Sequence, residues 1–175
     1  LDANSTAGSN TAVGYTALGA NTTGSFNTAV GVNTLATQTT VGYNTAFGYD
    51  CLTDNTSEST DAFGYKALHA NTSGVFNAAF GFNTLKTCTT GTRNAAFGNS
   101  AMENLTTGQY NTAVGQVALH ATTTGSENTA VGRYALGGNT TASYNTAVGY
   151  VALQANTTGA YNVAVGSHVL YSQTT

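Results

Sequence analysis

The chain has 175 residues, of which only 6% are charged and 41% are hydrophobic, and its net charge is −3. Ordinary soluble domains carry roughly 25% charged residues, so solubility here must come from Asn, Thr and Ser. A nearly uncharged, non-basic surface excludes nucleic acid and anionic membrane as partners, both of which demand clustered Lys and Arg, and no apolar run approaches the roughly 18 residues of a membrane span.

From its first complete unit the chain is a repeat. Asn10-Thr-Ala-Val-Gly14 is followed by Tyr15-Thr-Ala-Leu18 and then by Asn21-Thr-Thr-Gly24, and the order begins again at Asn27. Ten glycines fall at 14, 31, 48, 64, 81, 98, 115, 132, 149 and 166, with eight gaps of 17 residues and one of 16. A short fixed period without a helical apolar pattern is the mark of a solenoid in which each repeat is one coil. The expected fold is therefore all-β, a parallel β-solenoid (β-roll) of about ten 17-residue coils packed with other chains, and residues 1–175 form a single repeat domain. The ends fall within the repeat phase, which reads as a segment of a longer or stacked rod.

Within each coil, Asn-Thr-Ala-Val is expected to be one strand, Tyr-x-Ala-Leu a second, and Asn-Thr-Thr-Gly a turn or short third side. Stacked strands place equivalent side chains over one another, so each position becomes a column. Leucine stands four places after every glycine except at Met102, and Val or Phe stands just before every glycine. These columns are expected to form an apolar core that no single coil could bury. The glycine column suits a corner needing φ > 0 or close backbone approach, and the asparagine column marks another corner.

The alanine column is unbroken: Ala12, Ala29, Ala46, Ala62, Ala79, Ala96, Ala113, Ala130, Ala147 and Ala164. Ten repeats that never depart from alanine imply that something lies too close for a larger side chain. Either the two walls of a thin coil nearly touch, or a second chain packs on this face. The column is thus a candidate chain–chain contact. A set of aromatics, including Tyr15, Tyr49, Tyr65, Tyr110, Tyr144, Tyr150 and Tyr161, supplies candidate surface-binding residues. Such rings stack on sugars or pack between neighbouring coils or chains.

The coil between Gly48 and Gly64 is one residue short and holds Asp50, Asp54, Glu58 and Asp61, four of the seven acids. It reads as a bulged, solvated loop; without Asp-x-Asp-x-Asp spacing it makes no calcium motif. Cys51 and Cys88 lie two coils apart, about 9.5 Å along the axis, beyond disulfide reach. His69 and His120 share a column three coils apart, about 14 Å, too far for one metal, and His168 lies in another. A threonine eight places after each glycine suggests an ice-ordering ladder, but the next outward position is usually glycine. No column carries a nucleophile, base and acid together, so neither an enzyme nor a cofactor is expected.

Asn-Thr-Ala-Val-Gly-Tyr-x-Ala-Leu resembles the Asn-Ser-x-Ala-Ile-Gly head repeat of trimeric autotransporter (YadA-like) adhesins and the repeat regions of phage tail fibres. The similarity runs through all ten coils and departs from the adhesin pattern in its 17-residue period. The resemblance implies a parallel β-roll, commonly a homotrimer, displayed on a bacterial or virion surface for reach and attachment. No coiled-coil stalk, membrane anchor or tail-fibre chaperone sequence lies within these residues. The expected function is a structural, surface-exposed fibre segment, a rigid spacer or adhesin, with a self-assembling extracellular filament as the alternative and ice or glycan binding as less favoured readings. Expected partners are further copies of the chain, as trimer or filament, and a cell-surface receptor or glycan, with neither nucleic acid nor membrane insertion.

Overall fold

A computed structural model describes residues 3–172 and 174. It contains ten strands: β1 (Thr11–Val13), β2 (Thr28–Val30), β3 (Thr45–Phe47), β4 (Asp61–Phe63), β5 (Ala78–Phe80), β6 (Ala95–Phe97), β7 (Thr112–Val114), β8 (Thr129–Val131), β9 (Thr146–Val148) and β10 (Val163–Val165). They form one parallel sheet in the order β1 to β10. Register is strict, alanine on alanine, as in Ala12 against Ala29 and Ala96 against Ala113. No helix occurs among the described residues. Nine coil-to-coil steps at about 4.8 Å make a rod on the order of 43 Å long.

Each coil has one strand, not two. The Tyr-x-Ala-Leu segment is a run of turns: Ala17 N–H donates to Gly14 O, Gly19 N–H to Thr16 O and Asn21 N–H to Leu18 O. Thr16 (φ 55°) and Leu18 (φ 51°) sit at the third positions of the first two turns, where type II geometry demands φ > 0. The same two positions are left-handed in all ten coils, and so is the residue before each Asn, such as Tyr43 (φ 61°). An alternating Tyr-x-Ala-Leu pattern looks extended only because type II turns normally announce themselves with Gly or Asn, which most of these positions lack.

A leucine in the left-handed region costs about 1–2 kcal/mol. Leu18, Leu35, Leu52, Leu68, Leu85, Leu119, Leu136 and Leu153 are all completely buried, and burying such a side chain contributes about 1.5–3 kcal/mol. The column is therefore stable only when stacked, because a lone coil would carry the strain without the burial. The rest of the contact between coils is backbone hydrogen bonding outside the strands, as in Leu18 N–H to Thr34 O at 3.0 Å and Leu68 N–H to Thr84 O at 3.0 Å.

The glycine before this turn run is conformationally required. Gly64 has φ +137°, and a Cβ there would lie 2.3 Å from the Gly81 carbonyl oxygen in the next coil. The Asn column, expected at a corner, points inward and forms a buried ladder. Asn111 Nδ2 donates to Gly125 O at 2.9 Å, while its Oδ1 accepts the Asn128 backbone N–H at 3.0 Å, and Asn94 makes the equivalent pair of bonds. Each side chain thus satisfies one carbonyl and one amide of adjoining coils, which is the condition for burying polar groups without penalty.

The short coil is tightened and not bulged. Ser57 stands where the other coils have room for an extra residue, and it is buried. Its hydroxyl donates to Gly74 O at 2.6 Å and accepts from Asn71 Nδ2 at 2.9 Å. One hydroxyl thereby replaces the contacts of the missing residue, and β4 keeps its place in the sheet.

Candidate functional site: the outward faces of the coil

The strand Thr-Ala-Val alternates, as any strand must, so two of its residues face one way and the third the other. The structure puts alanine inside. Ala29, Ala46, Ala62, Ala79, Ala96, Ala113, Ala130 and Ala147 have no exposed surface in the lone chain, and Ala164 has 1%. The alanine column therefore cannot be the chain–chain contact. The opposite wall is what excludes larger side chains: Cys51 Sγ lies 3.2 Å from Ala62 O.

The Val and Phe column, expected in the core, consequently faces solvent. Val13 is 58% exposed, Phe47 37%, Phe97 40%, Val114 40% and Val165 67%. Phe47, Phe63, Phe80 and Phe97 stack on one another at 5.1, 4.6 and 4.9 Å between centroids. An outward stripe of Val and Phe thus runs the length of the sheet, on the order of 43 Å, and its continuity distinguishes it from the singly scattered surface apolar residues that need no explanation. The sequence signal for it was the period-two alternation around the fixed alanine, which assigns Val and Ala to opposite faces.

The candidate aromatics are exposed, in two columns flanking the strand. Tyr15 and Tyr161 are the most open, at 75% and 76%. Tyr49 stacks on Tyr65 at 5.5 Å and Tyr65 on Phe82 at 4.9 Å; Tyr144 stacks on Tyr161 at 4.8 Å with the rings 2° from parallel. Stacking along the axis covers the ring faces and turns edges and hydroxyls outward. A sugar that stacks needs a face, so the ladders offer one only at their ends. Tyr110 receives Arg93, whose guanidinium lies 5.3 Å from its ring and donates to its hydroxyl at 3.1 Å, and Arg133 lies 5.8 Å from the Tyr150 ring. The Glu127 carboxylate beside Tyr144, by its charge and then by hydrogen bonding, holds that phenol above the ordinary tyrosine range.

The remaining candidates are dispersed or already bonded. Threonine hydroxyls of the expected ice ladder donate to the next coil, as in Thr22 to Thr39 O, Thr72 to Thr89 O and Thr140 to Thr157 O, each at 3.0 Å. Their protons are thus committed to the rod and not to water. Asp50 accepts from Asn33 and lies 4.0 Å from Lys66, while Glu103 lies 3.6 Å from Lys86 and 3.9 Å from His120. Among the described residues no group of three His, Cys, Asp or Glu side chains could hold a metal. Cys51 and Cys88 are free and buried, and burial pushes each thiol up to about 12 against the lowering effect of one backbone hydrogen bond. Neither is a nucleophile at neutral pH.

The surface also carries concavities where the column five places after the glycine loses its side chain. One, of about 520 Å³, opens at Gly137; a second, of about 820 Å³, opens at Gly19. No protein-family model, curated protein or solved structure matches this chain.

Proposed function

We propose that the chain is a structural, non-enzymatic segment of a surface-exposed fibre, a rigid spacer or adhesin shaft of the kind found in phage tail fibres and bacterial surface adhesins, and that it assembles with copies of itself. The observation that carries this reading is the outward Val and Phe stripe on an otherwise uncharged rod. A solvated fibre with no apolar company would leave Phe47 and Phe97 facing water in line with the half-buried Phe63 and Phe80, at a hydrophobic cost of about 25 cal/mol per Å². Burying that line between copies removes the cost, and the in-register sheet repeats the same outward column along its whole length. Strict coil-to-coil bonding gives the stiffness a spacer needs.

The test is the mass of the intact particle in solution, by sedimentation, for the wild type and for Phe63→Ser with Phe80→Ser. The wild type sediments as an oligomer, and the double variant falls to a monomer that keeps its β circular-dichroism signal. A wild-type monomer at micromolar concentration refutes the assembly.

A further inference from the structure

We infer that the notch at Gly137 and Gly138 is a binding site for one neutral pyranose ring of a carbohydrate. The inference deepens the adhesin reading and rests on it for its biological setting, whereas its chemistry rests on the notch alone.

The notch exists because two side chains are missing. Neither glycine has positive φ; Gly138 is set by the close approach of the next coil, whereas Gly137 is not demanded by the backbone, since equivalent coils hold His120, Gln154 and Tyr171 in its column. A Cβ on Gly137 would meet its nearest neighbour, Tyr134 O, at 3.1 Å, and one on Gly138 would meet Gln154 O at 2.6 Å. Backbone therefore forms the floor. His120 and Gln154 form the walls one coil to either side, about 9.5 Å apart between backbones and about 6 Å between van der Waals surfaces. Such a gap admits a single saturated six-membered ring on edge. The volume of about 520 Å³ lies in the range of ligand clefts, roughly 300–1,000 Å³.

The lining selects the ligand class. Tyr134 and Tyr171 supply aromatic surface for the C–H side of a sugar, and Arg133, stacked 4.5 Å from the Tyr134 ring centroid, steadies that ring. Gln154 offers an amide that both donates and accepts. His120 Nδ1 lies 3.3 Å from Ser100 O, and with that nitrogen directed at the carbonyl the ring's Nε2 is left to hydrogen-bond a hydroxyl, which both donates and accepts. No charged side chain lines the notch. An aliphatic ligand would leave the amide and imidazole unpaired, whereas a neutral polyol pairs with both. The larger concavity at Gly19 has Tyr15 but only Ala, Thr, Asn and Gly besides, so it serves as an internal control.

The experiment titrates the full chain with methyl glucoside, methyl galactoside, methyl mannoside, N-acetylglucosamine and the anionic N-acetylneuraminic acid. Binding is read by saturation transfer and by the amide shifts of Gly137 and Gly138. At least one neutral pyranoside should bind in the millimolar range and shift both amides. Gly137→Gln fills the notch with the side chain the column holds at Gln154, and should weaken binding tenfold or more, while Gly19→Gln leaves it unchanged. Tyr134→Ala provides a second loss that does not depend on adding bulk. The inference is overturned if no neutral pyranoside binds, if only the anionic sugar binds, or if binding survives both Gly137→Gln and Tyr134→Ala. The sedimentation mass of the same samples separates the two readings. An oligomer without sugar binding removes the notch inference alone, and a sugar-binding monomer removes the assembly alone.

Discussion

Replacing Gly64 with alanine probes the feature on which every coil depends. The residue has φ +137°, and its new Cβ would lie 2.3 Å from Gly81 O and 2.7 Å from Gly81 C. The backbone conformation alone costs a non-glycine residue about 1–3 kcal/mol. The clash is with backbone, so the coils must separate locally, which weakens the 2.8 Å bonds from Gly64 N–H to Phe47 O and from Gly81 N–H to Phe63 O at about 0.5–1.5 kcal/mol each. Together the loss is about 2–6 kcal/mol, offset by less than 1 kcal/mol from the reduced entropy of the unfolded chain. Gly137→Ala is the matched control, since it lacks positive φ and its Cβ would come no nearer than 3.1 Å to a neighbour, and it should change stability by less than about 1 kcal/mol. Equilibrium denaturation followed by circular dichroism measures both. If the two variants unfold at the same denaturant concentration, the argument from the glycine corner is wrong. Because a solenoid's stability is nearly a sum over neighbours, hydrogen exchange in Gly64→Ala should rise first at β4 and β5 and less at β9.

Other perturbations test the interior. Leu68→Ala, in a fully buried position of the ladder, should cost about 2–5 kcal/mol by lost burial and cavity formation; in the same denaturation experiment, a loss no greater than that of Thr107→Ala on the surface would show that the leucines are not the core. Ala96→Glu places a carboxylate at a site with no solvent access and should unfold the chain, whereas Thr112→Glu, one strand along on the outward face, should leave the circular-dichroism spectrum intact. The thiols give a pH dependence. Burial pushes both thiols up to about 12, above their ordinary value of 9.0, so the folded state holds protons that the unfolded state releases between those values. Their contribution to stability is thus complete below pH 9 and declines as pH rises from 9 towards 12. Cys51→Ala with Cys88→Asn, which restores the residues common in those columns, should flatten the alkaline decline in a thermal-melting series, and an unchanged decline would rule the thiols out.

The repeat made most of the architecture legible. Ten glycines at constant spacing fixed the number of coils, and the all-alanine column fixed the register that β1 to β10 adopt. Local conformation was harder to read. Leu18 and Tyr43 lie in the left-handed region although their own propensities disfavour it, because the stacked neighbours on either side determine their φ. The asparagines were legible as special but not as buried, since their role depends on a carbonyl fourteen residues ahead, such as Gly125 O for Asn111. A single-coil reading has no way to see that partner.

The error over inside and outside is the most instructive of these, because it reverses which column the rod presents to solvent. Hydrophobicity assigned Val and Phe to the core and left alanine either for a thin coil whose walls nearly touch or for a seam between chains, and the burial of the alanines favours the thin coil. Volume gives the opposite order. A 17-residue coil in which the alanine and leucine columns are both completely buried and Cys51 Sγ reaches to 3.2 Å from Ala62 O has room for one layer of leucine and for methyl groups opposite it, so the strand must send its small residue inward and its large ones outward. Solvent then meets Phe where an isolated domain would place Thr or Lys. The constraint that keeps each coil thin is thus the same one that leaves an apolar stripe along the rod, and both follow from a single choice of side-chain volume at one position.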